Sequence, residues 1–182
     1  MKKLKTCPIC DEDSFNVLFS CKDHSTSKEN FTIVNCNSCS FTFTNPRPKE
    51  ENLGKYYISD NYISHTNTSK GLFEIMYQIV RKYAIVQKLK LVKKYSKIKN
   101  HLDIGCGTGE FLNACKTAGF KTKGIEPSEI ARMQAIDNYN LDVSGNTDLS
   151  QFDEDSFETI TMWHVLEHIP NLNETIEHFS RI

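Results

Sequence analysis

A glycine-rich turn between a short apolar segment and a helical pattern constrains this fold more than any other feature. It spans residues 101–112 and reads His-Leu-Asp-Ile-Gly-Cys-Gly-Thr-Gly-Glu-Phe-Leu. Because glycine has no Cβ atom, it permits tight turns and lets a ligand lie against the backbone. A helix that begins there offers unpaired N–H groups and the positive end of its dipole. The pattern therefore predicts a strand, a binding turn and a helix, the elements of a nucleoside-binding corner.

Predicted strands and helices alternate after this turn begins. Strands are expected at 102–104, 122–126, 141–143 and 157–163, and helices at 110–118, 127–138 and 172–181. Such alternation is typical of a parallel sheet with right-handed crossovers. The sequence therefore predicts an α/β fold with a Rossmann-like parallel sheet.

The glycine spacing separates two kinds of nucleoside ligand. Dinucleotide-binding turns use Gly-x-Gly-x-x-Gly, whose third glycine lets the helix approach the sheet. Here Glu110 stands at that position, and the glycines are Gly105, Gly107 and Gly109. We expect the negative Glu110 to repel a pyrophosphate, whereas Glu126, which ends the second predicted strand, suits ribose hydroxyls. The turn favours a cationic, phosphate-free nucleoside over NAD.

Four of the seven cysteines form two Cys-x-x-Cys pairs, which are Cys7 with Cys10 and Cys36 with Cys39. Two such turns present four thiolates, the ligand set of a structural zinc ion. The N-terminus carries no simple secretory signal, which favours metal over disulfides. Strand-like segments at 15–19 and 31–34 connect the two pairs. Residues 1–45 are therefore predicted to form a zinc ribbon.

Alternatives to this metal site remain open. Cys21 and His24 form a Cys-x-x-His pair that can replace one of the two cysteine pairs, although Cys21 also fits as a small buried residue. The cysteines can also stay reduced and unliganded on a hairpin. Five lysines and five acids balance within residues 1–45, so the ribbon lacks the charge expected of a phosphate-binding surface.

A linker and a basic helix are predicted between the two ends of the chain. Residues 46–69 form the linker, where Pro46 and Pro48 bar a helix and an aromatic stretch either borders a substrate entrance or packs on the larger domain. Apolar residues then recur at spacings of three and four, which predicts a helix over 70–99. That segment carries nine basic residues and one acid, Glu74, which we interpret as a solvated face.

The overall composition sets broad limits. The 22 Lys and Arg nearly cancel the 23 Asp and Glu, so the net charge of −1 argues neither for nor against nucleic acid. No apolar run approaches the roughly 20 residues that a membrane-spanning helix needs. We expect a soluble, cytoplasmic protein whose oligomeric state the sequence leaves open.

Three segments, in order, resemble motifs of class I S-adenosylmethionine-dependent methyltransferases. They are residues 102–112, 124–128 and 157–170, the last containing Leu-Glu-His. The resemblance covers about residues 80–182. Together with the basic helix that starts at residue 70, it predicts a methyltransferase domain over residues 70–182. The zinc-ribbon front also resembles a bacterial subgroup that includes sugar C-methyltransferases. The family sheet has seven strands and four are visible here, so we expect a C-terminally truncated chain.

The resemblance implies methyl transfer from S-adenosylmethionine to a small-molecule acceptor, of the sugar or secondary-metabolite kind. Two alternatives stay open: an RNA methyltransferase that uses the ribbon and the basic helix, and a non-catalytic zinc- and cofactor-binding fragment. Nucleic acid is the less expected partner.

The resemblance also implies residue roles. Asp103, with the glycine turn at Gly105, Cys106 and Gly107, would hold the methionine moiety. Glu126 and Pro127 belong to the ribose-binding motif, and Asp148 and Leu149 would flank the adenine. Trp163 or His164 would lie near the sulfonium. His164 and His168 are the candidate bases, although His168 also suits a structural hydrogen bond at a helix start.

Overall fold

The computed structural model describes residues 1–24, 26–56, 72–96 and 100–182. The chain divides into two compact units, Met1–Ser69 with Pro170–Asn173 and Lys70–Ile169 with Glu174–Ile182. The predicted aromatic stretch at 56–65 lies outside the described residues except for Tyr56. Within the described ranges, no helix is both long enough and apolar enough to span a membrane.

The first unit contains a small antiparallel sheet. Its strands are β1 (Phe15–Lys22), β2 (Asn30–Cys36) and β3 (Thr42–Thr44), in the order β1-β2-β3. Both predicted strands are longer than expected, and β3 was not predicted. This strand pairs with β2, and its Phe43 ring packs edge-on against Phe15, with ring centroids 5.3 Å apart.

The segment after β3 contains no α-helix up to Lys49 and is anchored to the N-terminus. The buried Asn45 side chain accepts from the Leu4 N–H at 2.9 Å and donates to the Leu4 carbonyl at 3.1 Å. Lys2 and Arg47 then form an antiparallel bridge. A 3₁₀ helix follows at Glu50–Tyr56.

The second unit contains a four-stranded parallel sheet, which confirms the predicted fold class. Its strands are β4 (Asn100–Ile104), β5 (Lys121–Ile125), β6 (Val143–Ser144) and β7 (Thr159–Met162), in the order β6-β5-β4-β7. The third strand starts later than predicted because Leu141 is buried against Leu112 and Ala135 instead of pairing. The fourth is shorter because Phe157 and Trp163 pack into core clusters at its ends.

Helices connect and flank these strands. They are α1 (Leu72–Tyr95), α2 (Glu110–Thr117), α3 (Glu129–Tyr139) and α4 (Leu172–Arg181). Helix α1 packs on α2 through Val92, Phe111 and Cys115, so apolar burial holds the long helix beside the glycine turn. Helix α3 begins at Glu129, later than predicted, because the Ser128 side chain caps it by accepting from the Ala131 N–H.

Candidate functional site

The candidate site lies where the strand order of the parallel sheet reverses. Strand β4 leads to β5 and β6 on one side, and the chain returns to β7 on the other. Ligands of open α/β sheets bind outside the carboxyl ends of the strands at such a point. The register pairs Asp103 with Gly124 of β5 and with Thr161 of β7, so residues from three strands meet there.

The glycine turn that follows β4 has left-handed backbone at Gly105, Gly107 and Gly109. Gly105 has φ +70° and no room for a side chain, since a Cβ atom there would lie 2.3 Å from Val165 Cγ2. Gly107 has φ +56°, and a Cβ atom there would meet nothing within 4 Å. The turn is therefore closed on one side and open at Gly107, where a ligand has access to the backbone.

The Glu126 carboxylate, 6% exposed, links this turn to β5. Its Oε2 accepts from the Gly107 N–H and its Oε1 from the Ser128 N–H, both at 2.8 Å. Each carboxylate oxygen has two lone pairs, so one acceptor position remains on each oxygen. The arrangement fits a pair of neighbouring hydroxyl groups on a ligand.

Asp103 supplies a second buried carboxylate, 2% exposed. Its Oδ1 accepts from the Thr161 hydroxyl at 2.6 Å. Burial raises the pKa of Asp103 to about 7, against the opposing effects of Thr161 and the Lys88 ammonium. Two acceptor carboxylates in a poorly hydrated crevice suit a ligand that is cationic and rich in donors.

Lys88 and Trp163 border this crevice from α1 and from the end of β7. The Lys88 ammonium lies 4.5 Å from the Trp163 ring centroid, a cation–π distance. Burial lowers the pKa of Lys88, opposed by Asp103. The Trp163 ring also packs edge-on against Phe111 at 5.7 Å, and its buried Nε1 has no hydrogen-bond partner among the described residues. An unpaired buried donor of this kind is rare in folded proteins.

The expectation that Glu110 acts as a free negative charge needs correction. Arg81 of α1 lies 2.5 Å from Glu110 Oε1, and the Thr108 hydroxyl donates to Oε2 at 2.7 Å. Repulsion by Glu110 is therefore largely neutralised. The preference for a phosphate-free ligand depends instead on the two buried carboxylates.

The other residues predicted to bind the cofactor, which are Cys106, Pro127, Asp148 and Leu149, differ in burial and in hydrogen bonding. The Cys106 side chain is buried in a core cluster with Leu112 and Ala135, and burial raises the pKa of its thiol to about 12. Asp148 caps the 3₁₀ helix Leu149–Gln151 by accepting from the Ser150 N–H at 2.8 Å, and Leu149 is buried in the core. Pro127 is exposed, and its carbonyl accepts from Arg132 at 3.2 Å.

The two candidate bases differ in setting. His164 follows β7 with φ +60°, and its side chain is 88% exposed and lies 3.8 Å from Glu167. His168 is exposed within the 3₁₀ helix Leu166–His168. A left-handed non-glycine residue is uncommon, and such strain concentrates at functional sites.

The four predicted metal ligands come together in the first unit. The sulfurs of Cys7, Cys10, Cys36 and Cys39 all lie within 4.8 Å of one another. Two pairs are 3.6 Å apart, Cys7 with Cys39 and Cys10 with Cys36. Tetrahedral zinc with bonds of about 2.3 Å places its sulfurs about 3.8 Å apart, so the cluster fits the ion. Neither Cys21 nor His24 joins the cluster found among the described residues.

The two cysteine turns have the same backbone pattern. The first cysteine of each pair donates its N–H to the carbonyl five residues ahead, Glu12 or Phe41. The residue after each second cysteine, Asp11 or Ser40, is left-handed and donates to the first cysteine's carbonyl. Two equivalent turns facing each other are the arrangement that a closed four-thiolate site requires.

Several residues near the site were missed by sequence reasoning. Three contacts form only because elements distant in the sequence pack together. They are Thr161 with Asp103, Lys88 with Trp163, and Arg81 with Glu110. His101 did carry a signal, since an ionisable residue in a short apolar strand is rarely buried without partners.

Comparison with known proteins identifies the family. A model of the methyltransferase domain family matches residues 76–182. The chain therefore belongs to this family. Its fold is that of class I methyltransferases, in agreement with the resemblance of its three segments.

Individual relatives agree with this assignment. The chain is 34% identical over 82 residues to a ubiquinone biosynthesis O-methyltransferase of Hydrogenovibrio crunogenus, a match covering 40% of this chain and 33% of the relative. The matched part thus spans a third of that relative's length. Magnesium protoporphyrin IX methyltransferase of Synechocystis PCC 6803, crystallised with bound SAM, shares the fold with a TM-score of 0.54 and 16% identity over 74% of this chain and 72% of that one. The same enzyme with bound SAH aligns with a TM-score of 0.53 and 15% identity, over 71% of this chain and 66% of that one.

Proposed function

We propose that this chain transfers the methyl group of S-adenosylmethionine to a small-molecule acceptor. The buried Glu126 carboxylate, which accepts from the N–H groups of Gly107 and Ser128, is the observation that supports S-adenosylmethionine as the cofactor. Its two remaining acceptor positions suit the vicinal hydroxyls of a ribose. In this assignment the second buried carboxylate, Asp103, and the open backbone at Gly107 hold the charged amino acid end.

The donor set supports this cofactor over a dinucleotide. Asp103 and Glu126 are acceptors, whereas a pyrophosphate needs donors and positive charge. Bound S-adenosylmethionine supplies a methyl group on a sulfonium, whose positive charge disappears as the methyl leaves. Orientation and exclusion of water are then the main catalytic contributions of the protein. The buried surroundings of Asp103 suit both the orientation of the cofactor and the exclusion of water.

We assign the acceptor side to the end of β7. Trp163 lies there beside Lys88, and His164 follows with its strained backbone and exposed imidazole. His164 is placed as the base that removes a proton when the acceptor is a hydroxyl. His168 takes the structural role. Asp148 and Leu149 are assigned to the adenine, Asp148 through its backbone because its carboxylate caps the 3₁₀ helix.

The acceptor is proposed to be an oxygen of a sugar-like or secondary-metabolite molecule. The relative from Hydrogenovibrio crunogenus is named as an O-methyltransferase of ubiquinone biosynthesis, which supports a small hydroxyl-bearing acceptor. Incubation with tritiated methyl donor and a panel of phenols and sugars tests this. Methylation confined to carbon or nitrogen would exclude the oxygen assignment.

The N-terminal part is proposed to be a zinc ribbon. Residues 1–45 would bind one Zn²⁺ through the four clustered cysteines, residues 46–69 would link the domains, and residues 70–182 would bind the cofactor. The near-ideal sulfur spacing supports the metal assignment. Zinc would hold the two cysteine turns together in a unit with little core of its own.

Calorimetric titration with S-adenosylhomocysteine tests the central proposal. The chain is expected to bind, and Glu126→Ala is expected to weaken binding roughly 100-fold, because two charge-assisted hydrogen bonds are lost. Glu129→Ala removes an exposed carboxylate three residues away and serves as the matched control. Absence of binding by the wild type, or equal affinity in both variants, would exclude the proposed site.

RNA methylation is the second candidate, favoured by exposed Lys90, Lys93 and Lys94 at the end of α1. Together they form a basic surface within the described residues. RNA binding at low salt should then weaken steeply with added salt, and further in Lys93→Gln with Lys94→Gln. Absence of RNA binding at low salt removes this candidate.

A further inference from the structure

His101 occupies an unusual place, since its imidazole is fully buried in the central strand β4. We propose that His101 is a positioning residue that sets the direction of a hydrogen-bonded chain running from Thr159 through His101 and Thr161 to the carboxylate of Asp103. The inference rests on the proposed cofactor role of Asp103. It concerns how that carboxylate is held, not whether it binds.

The strand register creates this chain. His101 pairs with Thr159 and Asp103 pairs with Thr161 across β4 and β7, so all four side chains share one face of the sheet. His101 Nδ1 lies 2.9 Å from the Thr159 hydroxyl, and His101 Nε2 lies 3.2 Å from the Thr161 hydroxyl. Thr161 Oγ1 lies 2.6 Å from Asp103 Oδ1. The three contacts are continuous.

Proton counting determines the direction of each bond. An ionised carboxylate only accepts, so the single hydroxyl proton of Thr161 must point at Asp103. His101 Nε2 must then carry the proton that it donates to Thr161. Neutral imidazole with a proton on Nε2 accepts at Nδ1, which takes the Thr159 hydroxyl proton. Each of the three hydrogen bonds then has one donor and one acceptor.

The opposite direction belongs to a protonated Asp103. Its acid proton would be donated to Thr161, Thr161 would donate to Nε2, and His101 would carry its proton on Nδ1. The tautomer of His101 thus follows the charge of Asp103 without any change in heavy-atom positions. A cationic ligand beside Asp103 favours the first direction, because it favours the ionised carboxylate.

The surroundings agree with a neutral His101 and a titratable Asp103. Burial lowers the pKa of His101 to about 4, opposed by a hydrogen bond with the Thr159 backbone, and burial raises the pKa of Asp103 to about 7. Charged and titratable groups facing Asp103 from the other elements are Lys88 of α1, Glu126 after β5, Cys106 in the turn and Cys115 of α2. Lys88 is the cation among them, and it favours the ionised state.

Nitrogen-15 NMR of the histidine rings, with His101 assigned by its loss in His101→Phe or by sequential assignment, tests the inference directly. At pH 8 with saturating S-adenosylhomocysteine, His101 is expected to be neutral with its proton on Nε2. A proton on Nδ1, or an imidazolium ring, overturns the proposal. The wild-type measurement needs no variant to fold, and at pH 8 it can also be made without ligand, because Asp103 is then mainly ionised.

Calorimetric affinities for S-adenosylhomocysteine give the second readout. Thr161→Val is isosteric and should weaken binding about tenfold, and Thr161→Ser should restore it. His101→Phe should weaken binding about threefold in the wild type and not at all in Thr161→Val, since the chain is already broken. Additive losses overturn the proposal. If the wild type does not bind, the proposed function fails, while the tautomer still decides the direction of the chain.

Discussion

The guanidinium of Arg81 and the carboxylate of Glu110 lie 2.5 Å apart and join helix α1 to the first turn of α2. The same carboxylate accepts from Thr108 within the glycine turn. Glu110 therefore fastens the long helix next to the candidate site. It also sits at the positive end of α2, where a carboxylate is stabilised.

Arg81→Met is expected to lower the free energy of unfolding by about 1 kcal/mol, because the pair is about one-third exposed and partly screened. Urea denaturation at low and high salt measures this. The difference from wild type should shrink at high salt. Lys82→Met, at an exposed neighbouring position, should leave stability unchanged. A loss independent of salt would point to packing by the Arg81 side chain instead.

The two glycines of the turn should separate stability from binding. Gly105→Ala is expected to destabilise the fold by more than about 2 kcal/mol, because it adds a left-handed strain and a contact with Val165. Val165→Ala should partly restore stability. Gly107→Ala should cost about 1 kcal/mol but weaken S-adenosylhomocysteine binding strongly, since its Cβ enters the open space. Thermal unfolding and calorimetry measure the two effects, and equal behaviour of both variants would contradict this division.

Asp103→Asn should change how stability depends on pH. The pKa of Asp103 rises from 3.8 unfolded to about 7 folded, so its stabilising contribution is complete below about pH 4 and is lost as pH rises to about 7. His101 has the opposite sign, since its pKa falls from 6.5 to about 4 and its contribution is lost as pH falls through that range. The two partly cancel in the wild type between about pH 4 and 6.5.

Asp103→Asn lacks the titrating carboxyl group. Its melting temperature relative to wild type should therefore rise from pH 4 to 7 and level off above pH 7. At about 1.4 kcal/mol per pKa unit, the change in unfolding free energy is at most about 4 kcal/mol. Calorimetry in steps of half a pH unit gives the curve. A difference that stays constant with pH would show that Asp103 is ionised throughout.

Metal analysis should find one zinc ion per chain. Cys36→Ser is expected to abolish tight zinc binding and to melt the small sheet, because a fully buried ligand is lost. Cys21→Ser, on the exposed strand β1 and outside the cluster, should retain the ion. Removal of zinc from the wild type with a chelator should give the same circular dichroism spectrum as Cys36→Ser. Equal zinc content in the two variants would contradict the four-cysteine assignment.

The order of strands and helices in the second unit was predictable because it depends on local signals. Glycine spacing, the apolar segment before Asp103 and the acid at Glu126 all lie within 26 residues of one another. The same holds for the cysteine turns, where two spacings define four ligands. The class of fold and the family followed from these patterns.

The partners of the site residues were not predictable, because they depend on strand order. Thr161 reaches Asp103 across 58 positions only when β7 lies beside β4, and Arg81 reaches Glu110 only when α1 packs on α2. The partner that offsets the charge of Glu110 was missed for that reason. The roles assigned to His164, His168, Asp148 and Leu149 stay predictions.

The pairing of Asp103 with Gly124 on one side and Thr161 on the other has a consequence for how this chain can change. A strand shifted by one residue turns each side chain to the opposite face. Deleting one residue from β4 would therefore dismantle both halves of the site at once. Insertions near Asp153, in the loop before β7, would leave both pairings intact. Length variation is expected to concentrate in such loops, while β4, β5 and β7 keep their lengths.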